Sequence, residues 1–167
     1  SGPKLMGRNS AGESFLRGYL KHSAADVFWV QSDQSEHVRQ FAETVKAAGR
    51  NEGVKAVGRA NLGNLAQAGT VYFPAPNIGD VAWHRGLFGH GAWSLCGITH
   101  TLASAAAMDG VVSLLTAPVQ PWDAVICTSS VARQVVQRIL EAQADYLRVR
   151  LGAQRLVLPQ LPVIPLG

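Results

Sequence analysis

His100 stands in Gly97-Ile-Thr-His-Thr101, directly behind a short apolar run, where an imidazole can take or give a proton or hydrogen-bond a ligand. A lone histidine is more often structural. The argument for function is positional, because α/β proteins keep their chemistry at the ends of buried strands. Gly7-Arg-Asn-Ser-Ala-Gly12-Glu13-Ser14 comes close to the phosphate loop of P-loop NTPases but has Glu13 where that loop requires a lysine, and a carboxylate repels phosphate. What remains is a glycine pair that lets backbone approach a ligand closely, ahead of a helix N-terminus offering N–H groups to a hydroxyl or anion.

Other chemistry finds less support. His84 and His90 match no metal-ligand spacing with His100, so no metal site is expected. There is no Gly-x-Ser-x-Gly elbow, and Cys96 and Cys127 sit inside apolar runs, which reads them as small core hydrophobes in a reducing compartment. Tyr72, Trp83, Phe88, Trp93 and Trp122 suit stacking on sugar rings, although most such aromatics are packing.

The elements that must position these residues alternate. Lys4-Leu-Met6 reads as a short first strand entering a turn at Gly7 to Gly12, and Phe15, Leu16, Tyr19 and Leu20 mark a helix behind it. Val27-Phe-Trp-Val30 reads as a strand buried on both faces. Asp33 with Glu36 resembles a capping box opening a helix through Val38, Phe41, Val45 and Ala48 that Gly49 ends. Further strands are expected at Val54 to Val57, Thr70 to Phe73, Ser94 to Thr99, Asp123 to Cys127 and Leu161 to Pro165; the stretch from Gly58 to Gly69 is left unassigned. Helices are expected from Gly79 to Leu87, from Leu102 to Leu115, and after a cap at Thr128 or Ser129, the last with Val131, Val135, Ile139 and Leu147 on one stripe. Apolar strands alternating with amphipathic helices predict an α/β fold, doubly wound around a mainly parallel sheet with helices on both faces. Ligands should then gather at Gly7 to Gly12, Pro74 to Gly79, Thr99 to Thr101 and Thr128 to Ser130.

The chain has 167 residues, 47% of them hydrophobic and 16% charged, which fits one domain whose core needs no disulfide or metal. No apolar run approaches the roughly 20 residues of a membrane span, and no secretory signal opens the chain. The net charge of +4 comes from 15 basic residues, 11 of them arginine, against 11 acidic ones, a weak bias toward anionic partners. Arg133, Arg138, Arg148, Arg150 and Arg155 fall in the last quarter, where a solvated helix face competes with a lipid or acidic-substrate patch.

Four stretches resemble the N-terminal lobe of a GT-B glycosyltransferase of retaining family 4, also called group 1. They are Leu5-Met-Gly-Arg-Asn-Ser-Ala-Gly-Glu-Ser-Phe15, Gly97-Ile-Thr-His-Thr-Leu102, Asp123-Ala-Val-Ile-Cys-Thr-Ser129 and Leu161-Pro-Val-Ile-Pro-Leu-Gly167. Together they reach across nearly the whole chain. The resemblance implies that residues 4–167 form a Rossmann-like acceptor-side lobe, residues 1–3 being a remnant or trimmed start, and that a donor-binding C-terminal lobe lies outside the chain.

The implied activity is hexosyl transfer from a nucleotide-sugar to a sugar or lipid-linked acceptor, without cofactor, metal or nucleic acid. The lobe would be inactive alone and cytoplasmic, or peripheral at the inner face of a membrane. Carried over by position, His100 lies beside the donor sugar, Gly7 and Gly12 bracket the loop facing the donor phosphates, and Arg8, Asn9, Glu13, Thr99 and Thr101 contact acceptor or donor. The family's double-glycine loop is replaced here by a longer, more polar one. A sugar-nucleotide 2-epimerase lobe and a non-enzymatic, flavodoxin-like binding domain are the competing expectations.

Overall fold

In the computed structural model the described residues are 7–100 and 102–165, with side chains from residue 12 onward. The chain divides into two units, with the boundary between Ala68 and Gly69. The fold is α/β, built from parallel strands flanked by helices, as the alternation of patterns predicts.

In the first unit, α1 (Gly7–His22) precedes β1 (Val27–Gln31), and α2 (Ser35–Ala47) carries the chain back to β2 (Gly53–Val57), which pairs with β1 in parallel. Phe28, wholly buried, is where the elements meet, with Leu20 of α1 and Val45 of α2 in the same cluster and Leu16, Phe41 and Val54 packed around it. Burial of one such ring contributes about 2–3 kcal/mol. The expectation that β1 is buried on both faces is corrected: Val27, Trp29 and Val30 are half-buried, and Lys55 on β2 lies 5.1 Å over the Trp29 ring.

The expected cap of α2 is also corrected. Gln34, not Asp33, is the N-cap, because Asp33 is taken by a tertiary partner: its Oδ1 accepts from the Arg59 N–H at 2.7 Å. A 3₁₀ segment, Arg59–Asn64, and a single turn, α3 (Leu65–Ala68), fill the stretch that the sequence pattern left unassigned.

Arg50 ties this unit together. Its Nη1 donates to the carbonyls of Leu20 and Ser23, at 2.7 and 2.9 Å, and so satisfies acceptors that the end of α1 leaves open. The guanidinium lies 5.0 Å from the Phe28 ring centre and is held by Glu52. The hydrogen bond from Arg50 draws the Glu52 carboxyl down from 4.5 to about 2. A depressed carboxyl stabilises the fold above its ordinary range and loses that effect as pH falls toward the folded value. Thermal melting should therefore decline between about pH 5 and 2, and more steeply than in Glu52→Gln, which removes the titrating group; equal slopes in a pH series of melting curves would refute this.

The second unit repeats a strand–helix–strand step along the chain. β3 (Thr70–Tyr72), α4 (Ile78–Gly86), β4 (Ser94–Ile98), α5 (Ala105–Val112) with a 3₁₀ turn (Ser113–Leu115), β5 (Ala124–Ile126) and α6 (Ser130–Leu151) follow one another. The strands pair in parallel in the order β3-β4-β5, and α5 packs against α6. Helix α5 starts later than its apolar pattern suggests, because Ser104 caps it and accepts from the Ala107 N–H at 3.2 Å.

On α6 the buried residues are Val136, Leu140, Ala144 and Leu147, while Val131 is 67% exposed. The expected Val131-Val135-Ile139 stripe is thus one residue out of phase. Val135 and Ile139 are half-buried and Leu147 is buried, so the expected stripe borders the core face and its first valine stands in solvent. Gly152 ends the helix at a φ of 66°, a left-handed cap in which its N–H donates to the Arg148 carbonyl.

The expected strand at Leu161 to Pro165 is reduced to isolated parallel bridges, Ala124 with Gln160 and Cys127 with Val163. Gln160 N–H donates to the Asp123 carbonyl and Val125 N–H to the Gln160 carbonyl, both at 2.8 Å, and Cys127 N–H reaches the Pro162 carbonyl at 2.8 Å. The missing rung is a donation from residue 162, which proline cannot make.

Candidate functional site

The carboxyl edge of the β3-β4-β5 sheet is assembled by backbone and hydroxyl contacts rather than by charge. Beyond β3, residues 73–77 fold back over the end of β4, where the Ala75 carbonyl accepts from the Ile98 N–H at 3.2 Å. Gly97 makes this approach feasible. A Cβ there would stand 2.6 Å from the Ala75 oxygen and 2.7 Å from Ile78 Cγ2. Thr99, 1% exposed, donates its N–H to the Ile126 carbonyl at 2.9 Å, and its Oγ1 accepts from the Thr128 N–H at 3.2 Å. The Thr99 side chain therefore ties β4 to β5.

His100 follows at once and is half-buried on this edge. Two helices begin at this edge, one shortly after β4 and one shortly after β5. Ser104 caps α5, and Ser129 caps α6 by accepting from the Ala132 N–H at 3.0 Å. Asn77 opens α4 and donates from Nδ2 to Asp80 at 3.0 Å. Gly110 lets α5 meet the Asn77 turn, since a Cβ there would fall 2.8 Å from Asn77 Cβ. Hydroxyl and amide groups thus stand along this edge around an imidazole whose two ring nitrogens are both enclosed, a set whose polar groups suit a hydroxylated ligand.

Among the described residues no activated thiol accompanies it. Burial pushes the Cys96 and Cys127 thiols up, away from the reactive thiolate, and pushes the Tyr72 phenol up to about 12. Among the described residues, no three His, Cys, Asp or Glu side chains are grouped to hold a metal.

The other expected site residues lie in the first unit or outside the described residues. The turn expected from Gly7 to Gly12 is helical: α1 starts at Gly7, so these residues contribute helix backbone rather than an open glycine loop. Arg8 and Asn9 occupy its first turn, and Glu13 is exposed on the second. The first four N–H groups of α1, from Gly7 to Ser10, have no intrahelical partner, so the chain offers a helix N-terminus there rather than an open glycine loop. Thr101 and the expected strand at Lys4 to Met6 lie outside the described residues.

A fully buried ion pair lies at the opposite, amino-terminal edge. Arg85 and Asp123 are both 0% exposed and form a two-pronged ion pair, Nη1 to Oδ1 at 2.6 Å and Nη2 to Oδ2 at 2.8 Å. Nη1 also donates to the Trp93 carbonyl at 2.9 Å and Nη2 to the Pro118 carbonyl at 3.2 Å. The Asp123 carboxylate accepts from the Leu95 and Gln120 N–H groups, each at 2.8 Å. One pair thereby joins the last turn of α4 to the starts of β4 and β5.

Motif reading passed over this pair, yet it left a signal. Arg85 falls three and seven residues after Ala82 and Ile78, on the face of α4 that both bury, so helical spacing alone required a buried partner for a cation. No protein-family model, no curated protein and no solved structure matches the chain.

Proposed function

We propose that the chain is the acceptor-side lobe of a retaining, nucleotide-sugar-dependent glycosyltransferase of GT-B type. The observation that carries this reading is His100 standing directly behind the central parallel strand, at the edge where the loops leading into α5 and α6 supply hydroxyl groups. A rim of hydroxyl and amide groups, with both described thiols pushed away from the thiolate, suits recognition of a sugar more than nucleophilic attack by the protein. In such a transfer the lobe orients the acceptor hydroxyl and hydrogen-bonds the donor sugar, while the departing diphosphate is stabilised by groups from a second lobe.

Titration of the chain with simple glycosides and nucleoside diphosphate sugars, followed through the His100 imidazole resonance, should give saturable shifts. His100→Ala should weaken binding by about tenfold to hundredfold, the value of one hydrogen-bonded polar contact. Full glycosyl transfer by the chain alone, or glycoside binding indifferent to His100→Ala, would overturn the reading.

A non-enzymatic ligand-binding domain is favoured by one observation, the helical backbone from Gly7 to Gly12 in place of a glycine loop. Under that reading ligand binding persists, but no donor is transferred in the native, full-length protein.

A further inference from the structure

The apolar side chains that the second unit leaves in solvent include a group at one edge. Because β3, β4 and β5 run parallel, all begin at the edge opposite His100, and the helices that connect them end there. Leu87, 79% exposed, and the half-exposed Phe88 follow α4, Trp122 immediately precedes Asp123 and β5, and Val149 and Leu151, 90% and 70% exposed, close α6. The Arg85–Asp123 bond fixes the end of α4 at the start of β5.

The charge at this edge is positive. Arg150 and Arg155 are exposed, and the acid nearest the end of α6, Asp145, is already paired with Arg148 at 2.9 Å. Asp123 is buried in its own pair. Exposed tryptophan, phenylalanine and aliphatic side chains interleaved with arginine match a membrane–water interface: the apolar groups enter the acyl boundary and guanidinium groups meet headgroup phosphates.

We propose that the amino-terminal edge of this sheet rests on a bilayer bearing anionic lipid. Arg150 and Arg155, which form no ion pair among the described residues, supply charge complementarity, and the apolar side chains around them supply burial that a purely electrostatic contact lacks. His100 lies at the other end of the strands, away from this contact. The inference stands apart from the sugar reading, since it uses none of the residues on the carboxyl edge.

The test is co-sedimentation of the 167-residue chain with vesicles of phosphatidylcholine alone or mixed with phosphatidylglycerol. Binding is expected to the anionic vesicles only, to fall with added salt, to be abolished in Val149→Asp/Leu151→Asp, and to weaken about tenfold or more in Arg150→Glu/Arg155→Glu. Circular dichroism checks that each variant is folded, and if the apolar pair of substitutions unfolds the chain, the arginine pair decides. Absence of binding by the folded wild type, or binding that neither variant reduces, overturns the proposal. So does a dimer that Val149→Asp/Leu151→Asp dissociates while vesicles capture nothing, which would assign the edge to a second copy of the chain.

Discussion

Asp123→Ala is expected to destabilise the second unit by about 3–5 kcal/mol, the cost of leaving a buried charge without its partner. The Arg85 guanidinium would remain fully enclosed with only the Trp93 and Pro118 carbonyls to answer it, and the N–H groups of Leu95 and Gln120 would lose their acceptor. Arg85→Met should cost less, because Asp123 would keep both of those backbone donors. The double replacement Arg85→Met/Asp123→Leu should recover much, not all, of the loss: it removes the buried charges but still strands two N–H groups, at about 1–3 kcal/mol each. Urea denaturation of the four proteins measures this order. A midpoint for Asp123→Ala indistinguishable from wild type would show that the pair does not hold the strand starts together.

Gly97→Ala should cost about 2–3 kcal/mol, as overpacking of a closed site does. The new methyl would meet a backbone oxygen and the Ile78 side chain rather than a flexible chain end, and the oxygen it displaces is the one that binds the Ile98 N–H. The damage falls two residues before Thr99, so ligand binding at His100 should weaken together with stability. Gly53→Ala, in β2, serves as the control, since a Cβ there meets nothing within 4 Å. That variant should be neutral or slightly stabilised through the unfolded chain. Equal denaturation midpoints for the two variants would refute the close-approach account of Gly97.

The place of His100 just past β4 and the cap at Thr128 or Ser129 before α6 could be read from spacing, because each is set by residues a few positions apart. The Ser104 cap of α5 and the close approach at Gly97 could not, since the first is masked by an apolar run and the second depends on a loop folding back from residue 75. The glycine pair at Gly7 and Gly12 shows the limit of such reading. Two glycines five apart permit a loop without requiring one, and the backbone from Gly7 onward is helical. Thr99 shows a second limit: a threonine after a strand offers its hydroxyl to a ligand on paper, whereas here that hydroxyl is committed to Thr128 across 29 residues of chain.

The sequence by itself determined the α/β class, the parallel pairing and most element positions, because periodicities of 2 and 3.6 and the caps between them act over single turns and adjacent residues. Tertiary structure alone decided that Asp33 leaves its helix for Arg59, that the core face of α6 lies one residue away from its valine stripe, and that Arg85 finds Asp123. These outcomes depend on which groups long-range packing removes from water. A buried charge or donor then takes the partner that the fold brings within reach, whatever its distance along the chain.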